Sequence, residues 1–187
     1  SVDDIYSKQN EKALYKAVVS LGGGTGSFVS PDGLMLTNHH VAYGGLQRAS
    51  TKENDYILNG FLAKNKSEEI LAKGYRAYVL MEMEDVTPII LGAADKENDL
   101  AKRQKLINEK IEELIAEKVG GKQDVTARVA EMFSGNQYVI FVYKIFRDVR
   151  IVYAPPLSIG NYGGEIDNWM WPRHTGDFTY LRVYSAP

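Results

Sequence analysis

Short apolar runs, several of them rich in β-branched and aromatic residues, constrain this 187-residue chain more than any other feature. Val, Ile, Tyr and Phe suit the pleated, half-buried surface of a strand. The runs lie at 34–37, 75–83, 125–132, 137–146, 149–154 and 177–184. Many short strands with one intervening helix predict a mainly β fold, either a barrel or a sandwich.

The one long helical segment runs from Asp95 to Val119 and ends at Gly120-Gly121. Its apolar residues share one face at helical spacing: Leu100, Ile107, Ile111, Leu114 and Ile115. Lys and Glu fill the other positions, which is more typical of a solvated outer face than of a partner-binding surface. We therefore predict an amphipathic helix inserted among the strands.

Composition excludes several classes of function. A net charge of −2 gives no support for binding nucleic acid or an anionic membrane surface. The longest apolar run, 138–143, is far shorter than the roughly 20 residues that cross a bilayer. Cysteine is absent, which excludes disulfides and thiolate metal sites. We expect no nucleic-acid partner, no membrane span and no cofactor.

The glycine-rich stretch Leu21–Gly26 raises the possibility of a phosphate-binding loop. Such a loop needs a following helix, whose N-terminus meets the anion, and a Lys-Ser/Thr pair or a GxGxxG spacing. The stretch has neither, and the residues after it, Phe28-Val29 and 34–36, favour strands. A phosphate site is therefore the less favoured interpretation.

A hairpin is predicted around Ser30-Pro31-Asp32-Gly33, because Pro presets φ at the second turn position and Gly closes a type I turn. Its second strand, 34–37, delivers Asn38, His39 and His40 to the end of a strand, where functional side chains tend to lie. We expect Gly44-Gly45 to break the chain after Ala42 and to lead into an irregular stretch from 46 to 74.

His40 is a candidate general base for a hydroxyl nucleophile, and Asp177 is a candidate carboxylate to orient it. A structural histidine satisfied by backbone groups remains an alternative. A metal site is less favoured. Adjacent strand residues such as His39 and His40 point to opposite faces, and His174 is the only other histidine.

Two motifs resemble those of chymotrypsin-like peptidases: TNHHV at 37–41 and DFTYLRV at 177–183. The longer stretches GGGTGSFVSPDGLMLTNHHVAYGGLQ and GNYGGEIDNWMWPRHTGDFTYLRVY closely resemble the bacterial dipeptidyl-peptidase 7 and 11 family of serine exopeptidases. The resemblance covers essentially residues 1–187. It implies the first chymotrypsin-like β-barrel of a two-barrel peptidase, with 95–119 as a helical insertion and with the second barrel and a helical domain outside this chain.

The resemblance also implies roles for four residues. His40 and Asp177 match the catalytic His and Asp, while Asn168 and Trp169 match a pair that binds the free N-terminus of an oligopeptide substrate. Amide oxygens accept from an ammonium group, and an aromatic wall adds cation–π attraction. Without the resemblance, the residues Trp169 to Trp171 are more simply interpreted as core.

Two departures from the family pattern stand out. The resemblance implies one cysteine in the glycine-rich strand and another straight after the catalytic His, as a disulfide pair, and these positions match Gly24 and Val41 here. The nucleophilic Ser of the family lies in a Gly-Asn-Ser-Gly-like segment further on, and Ser27, Ser30 and Ser185 do not have that context. The isolated chain is therefore predicted to be inactive.

We expect the N-terminal part of a serine dipeptidyl aminopeptidase that releases dipeptides from free N-termini of oligopeptides. The alternatives are a chymotrypsin-like endopeptidase and a non-catalytic peptide-binding domain on a peptidase scaffold. The family also implies a periplasmic, outer-surface or secreted location and allows a homodimer of the full-length protein.

Overall fold

The structure is a computed structural model that describes residues 1–7, 13–160 and 176–185. Its strands within these residues are β1 Val18–Ser20, β2 Thr25–Phe28, β3 Leu34–Thr37, β4 Phe61–Leu62, β5 Ile70–Leu71, β6 Ala77–Asp85, β7 Val125–Met132, β8 Gln137–Phe146, β9 Asp148–Ala154 and β10 Thr179–Tyr184. Its helices are α1 Val2–Ile5, α2 His39–Ala49, α3 Tyr56–Asn59, α4 Thr87–Ala93, α5 Leu100–Val119 and α6 Leu157–Gly160, with 3₁₀ turns at Leu14–Ala17 and Lys66–Glu68. The chain divides into two compact units, Ser1–Tyr78 with Phe146–Pro187 and Val79–Ile145.

The first unit is built on antiparallel strands in the order β4-β9-β10-β3-β2-β1, with β5 also paired to β9. The prediction of a mainly β fold with a few helices is confirmed. This order is open among the described strands, so the barrel closure that the resemblance implies is not seen there. The core of the unit consists of fully buried apolar side chains: Val19, Met35, Leu46, Val149, Ile151 and Leu181.

The predicted hairpin at 30–33 is confirmed, because β2 and β3 pair with Phe28 opposite Met35. Gly33 ends its turn with φ +72°, a conformation that side chains other than glycine rarely adopt. It also lies against β10, since a Cβ added to Gly33 would come within 2.5 Å of the carbonyl oxygen of Val183. Conformation and close packing therefore both require glycine at this position.

The stretch after β3 differs from the prediction. His39 and His40 do not lie at the end of a strand; they open the 11-residue helix α2. Gly44 and Gly45 do not break the chain but lie inside that helix. A Cβ on Gly45 would lie 3.2 Å from the Tyr75 ring, so the glycine lets the helix pack closely against its neighbour. Tertiary packing outweighs the intrinsic helix-breaking tendency of glycine here.

A buried ion pair joins the loop before β5 to strand β10. The Arg182 Nε–H donates to Oε1 of Glu69 at 2.8 Å, and the Tyr184 hydroxyl donates to Oε2 at 2.8 Å. The side chains of Glu69 and Arg182 are 2% and 13% exposed. Arg182 also donates to the carbonyl of Asp32 at 3.0 Å. Both carboxylate oxygens of Glu69 are thus occupied inside the protein.

The second unit contains the long helix α5, packed against β7 and α4. The helix begins at Leu100 rather than at Asp95, because the Asp99 carboxylate caps it by accepting from the N–H groups of Ala101 and Lys102. It ends as predicted at Gly120, which is left-handed. Leu100 was predicted on the apolar face but is 82% exposed. The core of the unit consists of Val86, Ile90, Ala94, Ile107, Leu114, Tyr138 and Ile140.

The predicted strands 125–132 and 137–146 agree with β7 and β8, whereas 75–83, 149–154 and 177–184 differ by one or two residues from the bounds of β6, β9 and β10.

Helix α5 is 20 residues long but rich in Lys and Glu. Among the described residues, no helix is both long and apolar enough to cross a membrane.

Candidate active site

The pairing of β3 with β10 brings two distant parts of the chain together. Thr37, the last residue of β3, lies opposite Thr179, the first residue of β10. Because the strands are antiparallel, the residues that follow Thr37 lie beside those that precede Thr179. Asp177 is therefore carried to the start of α2, next to His40.

The Asp177 carboxylate accepts three hydrogen bonds at this point. Its Oδ2 lies 2.7 Å from Nδ1 of the His40 ring and accepts from the Asn38 side-chain amide at 3.1 Å. Its Oδ1 accepts from the backbone N–H of His40 at 3.1 Å. The Asp177 side chain is 8% exposed, so these donors replace the water that it would otherwise bind.

The same carboxylate caps helix α2. Asn38 occupies the N-cap position but makes no capping hydrogen bond with its own side chain. Asp177 instead accepts from the N–H of His40, the second residue of the helix, and places its negative charge at the positive end of the helix dipole. The Asn38 amide is thereby available as a donor, and it binds both the carboxylate and the backbone carbonyl of Asp177, at 3.1 and 3.3 Å.

This arrangement fixes the tautomer of His40. An ionised carboxylate only accepts hydrogen bonds, so the proton of the neutral imidazole is assigned to Nδ1, and Nε2 carries the free lone pair. The His40 side chain is 66% exposed although its orienting carboxylate is buried. An accessible Nε2 on an oriented ring can take a proton from a hydroxyl group and return it to a leaving amine.

His39 has a different environment. It is 1% exposed, its Nδ1 lies 3.4 Å from the Thr179 hydroxyl, and its ring meets that of Tyr43 edge-on. Burial lowers the pKa of His39, an effect that Asp177 opposes and His40 reinforces. Nε2 has no hydrogen-bond partner among the described residues. His39 is therefore inaccessible to a substrate, and the described residues contain no group of three potential ligands arranged to hold a metal ion.

Gly24 and Val41, the positions where the family has cysteines, are in direct contact. A Cβ added to Gly24 would lie 2.6 Å from Cγ2 of Val41 and 3.3 Å from its Cβ. The Val41 side chain thus fills the space that a side chain at position 24 would need. Apolar packing joins the glycine-rich stretch to α2, immediately after His40.

The other residues singled out in the sequence are Asn168, Trp169, Ser27 and Ser30. Asn168 and Trp169, like His174, lie outside the described residues. The Ser27 hydroxyl donates to the adjacent carbonyl of Phe28 at 3.4 Å, and the Ser30 hydroxyl accepts from the N–H of Asp32 at 3.2 Å. Both serines therefore have local partners in the hairpin.

The sequence indicated no role for Asn38, because residues 38–40 were expected at the end of a strand and not at the start of a helix. The buried residues His39, Ala42 and Leu46 do follow helical spacing, which was the available signal for α2. The Gly44-Gly45 pair obscured that signal.

Comparisons with known proteins find related sequences and structures. A model of the Peptidase S46 family matches residues 1–187. The chain is 41% identical to a dipeptidyl-peptidase 7 and 43% identical to an Asp/Glu-specific dipeptidyl-peptidase, both of Capnocytophaga gingivalis, over 99% of its own length and 26% of theirs. It also resembles the crystal structure of Porphyromonas endodontalis DPP11 in complex with substrate, with a TM-score of 0.86 and 35% identity, over 99% of this chain and 28% of that one. The chain thus spans about a quarter of the length of these curated relatives.

Proposed function

Because the chain belongs to the Peptidase S46 family, we propose that it is the N-terminal part of a serine dipeptidyl-peptidase and supplies the general base and its orienting carboxylate. The observation that carries this proposal is the 2.7 Å contact between Nδ1 of the exposed His40 and Oδ2 of the buried Asp177. The named relatives are dipeptidyl-peptidases, which supports the reaction class. We also propose that the complete protein has a chymotrypsin-like fold, in which the first unit contributes one barrel.

In this mechanism Asp177 holds the Nδ1–H of His40, so that Nε2 faces the reacting groups. A serine hydroxyl in another part of the protein transfers its proton to Nε2 as its oxygen attacks the second peptide bond of the substrate. The resulting imidazolium donates that proton to the leaving amine. The buried carboxylate stabilises the imidazolium without taking the proton itself.

The supports around Asp177 prepare the site before substrate binds. The Asn38 amide donates to Oδ2 of Asp177 and the backbone N–H of His40 donates to Oδ1. Since Asn38 and His40 lie at the start of α2 and Asp177 lies two residues before β10, the donors keep a fixed geometry and need no rearrangement during the reaction. Asn168 and Trp169, by resemblance to the family, bind the substrate ammonium group and restrict cleavage to free N-termini.

Oligopeptides with a free N-terminus are the proposed substrates. A periplasmic or outer-surface location and a homodimer of the full-length protein belong to the same proposal. Both rest on family resemblance alone.

The test uses the full-length protein with dipeptidyl-arylamides that carry either a free or an N-acetylated N-terminus. Cleavage of only the free substrates, abolished by His40→Ala but retained by Gln47→Ala, supports the dipeptidyl-peptidase. Gln47 is an exposed residue of the same helix. Cleavage of both substrates indicates an endopeptidase. Tight binding of peptides with no cleavage by the wild type contradicts the proposal and favours a peptide-binding domain.

A further inference from the structure

The first unit has a pocket that is lined in part by His40, and the proposed roles of His40 and Asp177 leave it unused. Its volume is about 280 Å³. The lining residues come from the glycine-rich stretch, from α2 and from the turn before β6: Leu21, Gly23, His40, Val41, Arg48, Gly74 and Tyr75. This volume is near the lower end of the range for small-molecule sites, so it suits a short stretch of peptide.

The Arg48 guanidinium is the charged group of this pocket, and the protein fixes its position. Its Nε–H donates to the backbone carbonyl of Lys73 at 2.7 Å, and its Cζ lies 5.5 Å from the centroid of the Tyr75 ring. Tyr75 is itself held, since its hydroxyl donates to the carbonyl of Val41 at 2.7 Å and accepts from the N–H of Gly45 at 3.3 Å. The cation therefore has a defined orientation before any ligand binds.

The two terminal nitrogens of Arg48 lie next to two glycines, Gly44 and Gly74, which have no side chains to cover them. A Cβ added to Gly44 would be 3.4 Å from Nη1, and one added to Gly74 would be 3.7 Å from Nη2. Within the described part of the chain, Nε makes the hydrogen bond of this side chain, and both NH₂ groups retain donors for a ligand. A planar guanidinium with two such groups pairs best with a carboxylate, which it binds through parallel hydrogen bonds.

The chemistry of the proposed reaction decides which end of a peptide meets Arg48. His40 protonates the leaving amine, so the leaving fragment begins beside the imidazole. The other product carries an ammonium group, which a guanidinium repels. Arg48 follows His40 by eight residues, a rise of about 12 Å along α2, and its side chain leans back toward the helix N-terminus. Two extended residues span roughly 7 Å, which bridges the remaining distance.

We propose that Arg48 binds the C-terminal carboxylate of the leaving fragment when that fragment is about two residues long. This inference rests on the proposed function. It assigns the pocket to the carboxyl side of the cleaved bond and makes short peptides, about four residues in all, the favoured substrates. Longer substrates extend past Arg48 and lose this ion pair.

The first experiment measures kcat/KM of the full-length protein for tri-, tetra- and hexapeptides, each as the C-terminal acid and as the amide. We expect the acid-to-amide ratio to reach about tenfold for the tetrapeptide, since a hydrogen bond to a charged group contributes on that scale. The ratio should be near one for the hexapeptide. Arg48→Gln should bring the tetrapeptide ratio to about one and Arg48→Lys should leave it intermediate, because lysine keeps the charge but loses the planar fork. Arg76→Gln, an exposed arginine of the same turn that does not line the pocket, is the matched control and should keep the wild-type ratio.

The acid-to-amide ratio of kcat/KM distinguishes loss of carboxylate binding from a structural defect. A structural effect of Arg48→Gln on Tyr75 or α2 lowers the rates for acid and amide by the same factor. Equal rates for acid and amide in the wild type, or a ratio that survives Arg48→Gln, overturns the proposal.

A second experiment needs no catalysis and so distinguishes failure of this site from failure of the proposed function. Titration calorimetry compares N-acetyl-Leu-Leu with its C-terminal amide, both added to the full-length protein. The acetyl group removes the ammonium that the other side of the site would bind. Binding of the acid about tenfold tighter than the amide, lost in Arg48→Gln, supports the site even if the protein cleaves nothing. Equal affinities overturn it.

Discussion

Two buried carboxylates in the first unit, Glu69 and Asp177, have comparable numbers of hydrogen bonds but different partners. Glu69 pairs with Arg182, which is 13% exposed, and with the Tyr184 hydroxyl. Asp177 pairs with His40, which is 66% exposed. A guanidinium only donates hydrogen bonds, whereas a neutral imidazole that donates from one ring nitrogen can accept a proton at the other. Both members of the Glu69–Arg182 pair are therefore shielded from solvent, and we call it a closed pair. In the Asp177–His40 pair the imidazole is accessible and can exchange a proton with a substrate, and we call it an open pair.

Burial of an acid therefore does not identify its role, whereas the exposure of its partner does. A closed pair stabilises the packing of β10, and removal of either member leaves a charge stranded in the interior. An open pair directs a reactive nitrogen toward solvent or substrate. We therefore expect substitution of Glu69 to lower stability and substitution of Asp177 to lower activity.

The largest effect is expected for Asp177→Asn, assayed in the full-length protein. The amide can donate to His40 and so favours the wrong tautomer, with Nε2 protonated; kcat should fall by about 10⁴-fold. Steady-state hydrolysis of a free dipeptidyl-arylamide measures this. Asp95→Asn, an exposed carboxylate in the second unit, is the control and should retain wild-type kcat. A decrease smaller than tenfold would show that Asp177 does not orient the base.

Glu69→Gln should instead act on stability. The substitution leaves the guanidinium of Arg182 without a counter-charge in a site that excludes most water, and the free energy of unfolding should fall by about 3–5 kcal/mol. Urea denaturation of the full-length protein, followed by circular dichroism, gives this value. The exposed acid Glu53 provides the matched control, since Glu53→Gln should change stability by less than about 0.5 kcal/mol. If kcat of Glu69→Gln fell strongly at temperatures where the variant remains folded, Glu69 would also act in catalysis and the contrast with Asp177 would be wrong.

The contact beside His40 can be made covalent. Val41 fills the space next to Gly24, and the two Cβ positions would lie 3.3 Å apart, close to the 3.5–4.5 Å usual in disulfides. Gly24→Cys combined with Val41→Cys should form a disulfide under oxidising conditions and stabilise the fold by about 3 kcal/mol, the value for a loop of this length. Free-thiol titration and unfolding with and without a reductant measure both quantities. Gly24→Cys alone should destabilise the protein, because the new side chain meets Val41; a stable single variant would contradict the packing argument.

Asn38→Ala should have a smaller effect that falls on activity. The variant removes one of the three donors to Asp177 but keeps the His40 ring and backbone contacts. Loss of a hydrogen bond to a charged acceptor should lower kcat/KM by about tenfold. Asn38→Asp removes the same donor and adds a like charge beside Asp177, so its decrease should be larger. Equal activity of Asn38→Ala and the wild type would assign the positioning of Asp177 to His40 alone.

Much of the fold was predictable because its signals are local. The Pro31 and Gly33 turn needs particular φ values, and the strands 125–132 and 137–146 carry the residue types that favour strands. The Gly120-Gly121 pair also predicted the end of the long helix, which the structure has at Gly120. These features depend on interactions between close neighbours in the sequence, which a pattern can show.

Of the candidate site, the sequence indicated two residues, His40 and Asp177, as a base and its carboxylate, and the family resemblance implied the same roles for them. Nothing local shows that Asp177 reaches His40, since their contact depends on the register of β3 against β10. Nor does a Gly44-Gly45 pair indicate a helix unless the Tyr75 ring that packs on it is known. Both features depend on long-range packing, which local sequence patterns do not show.

The smallest expected effect concerns His39, whose burial lowers its pKa below the usual 6.5. In the unfolded chain the ring is protonated below about 6.5, whereas in the folded protein it stays neutral to lower pH. The unfolded state therefore binds more protons in that interval, and stability should fall as the pH drops below about 6.5 and should be complete above it. Urea denaturation at pH 7.5, 6.5 and 5.5 should show this decrease in the wild type. His39→Gln, which does not titrate, should show a smaller decrease over the same interval; an identical pH dependence would mean that other groups cause it and that His39 is protonated equally in both states.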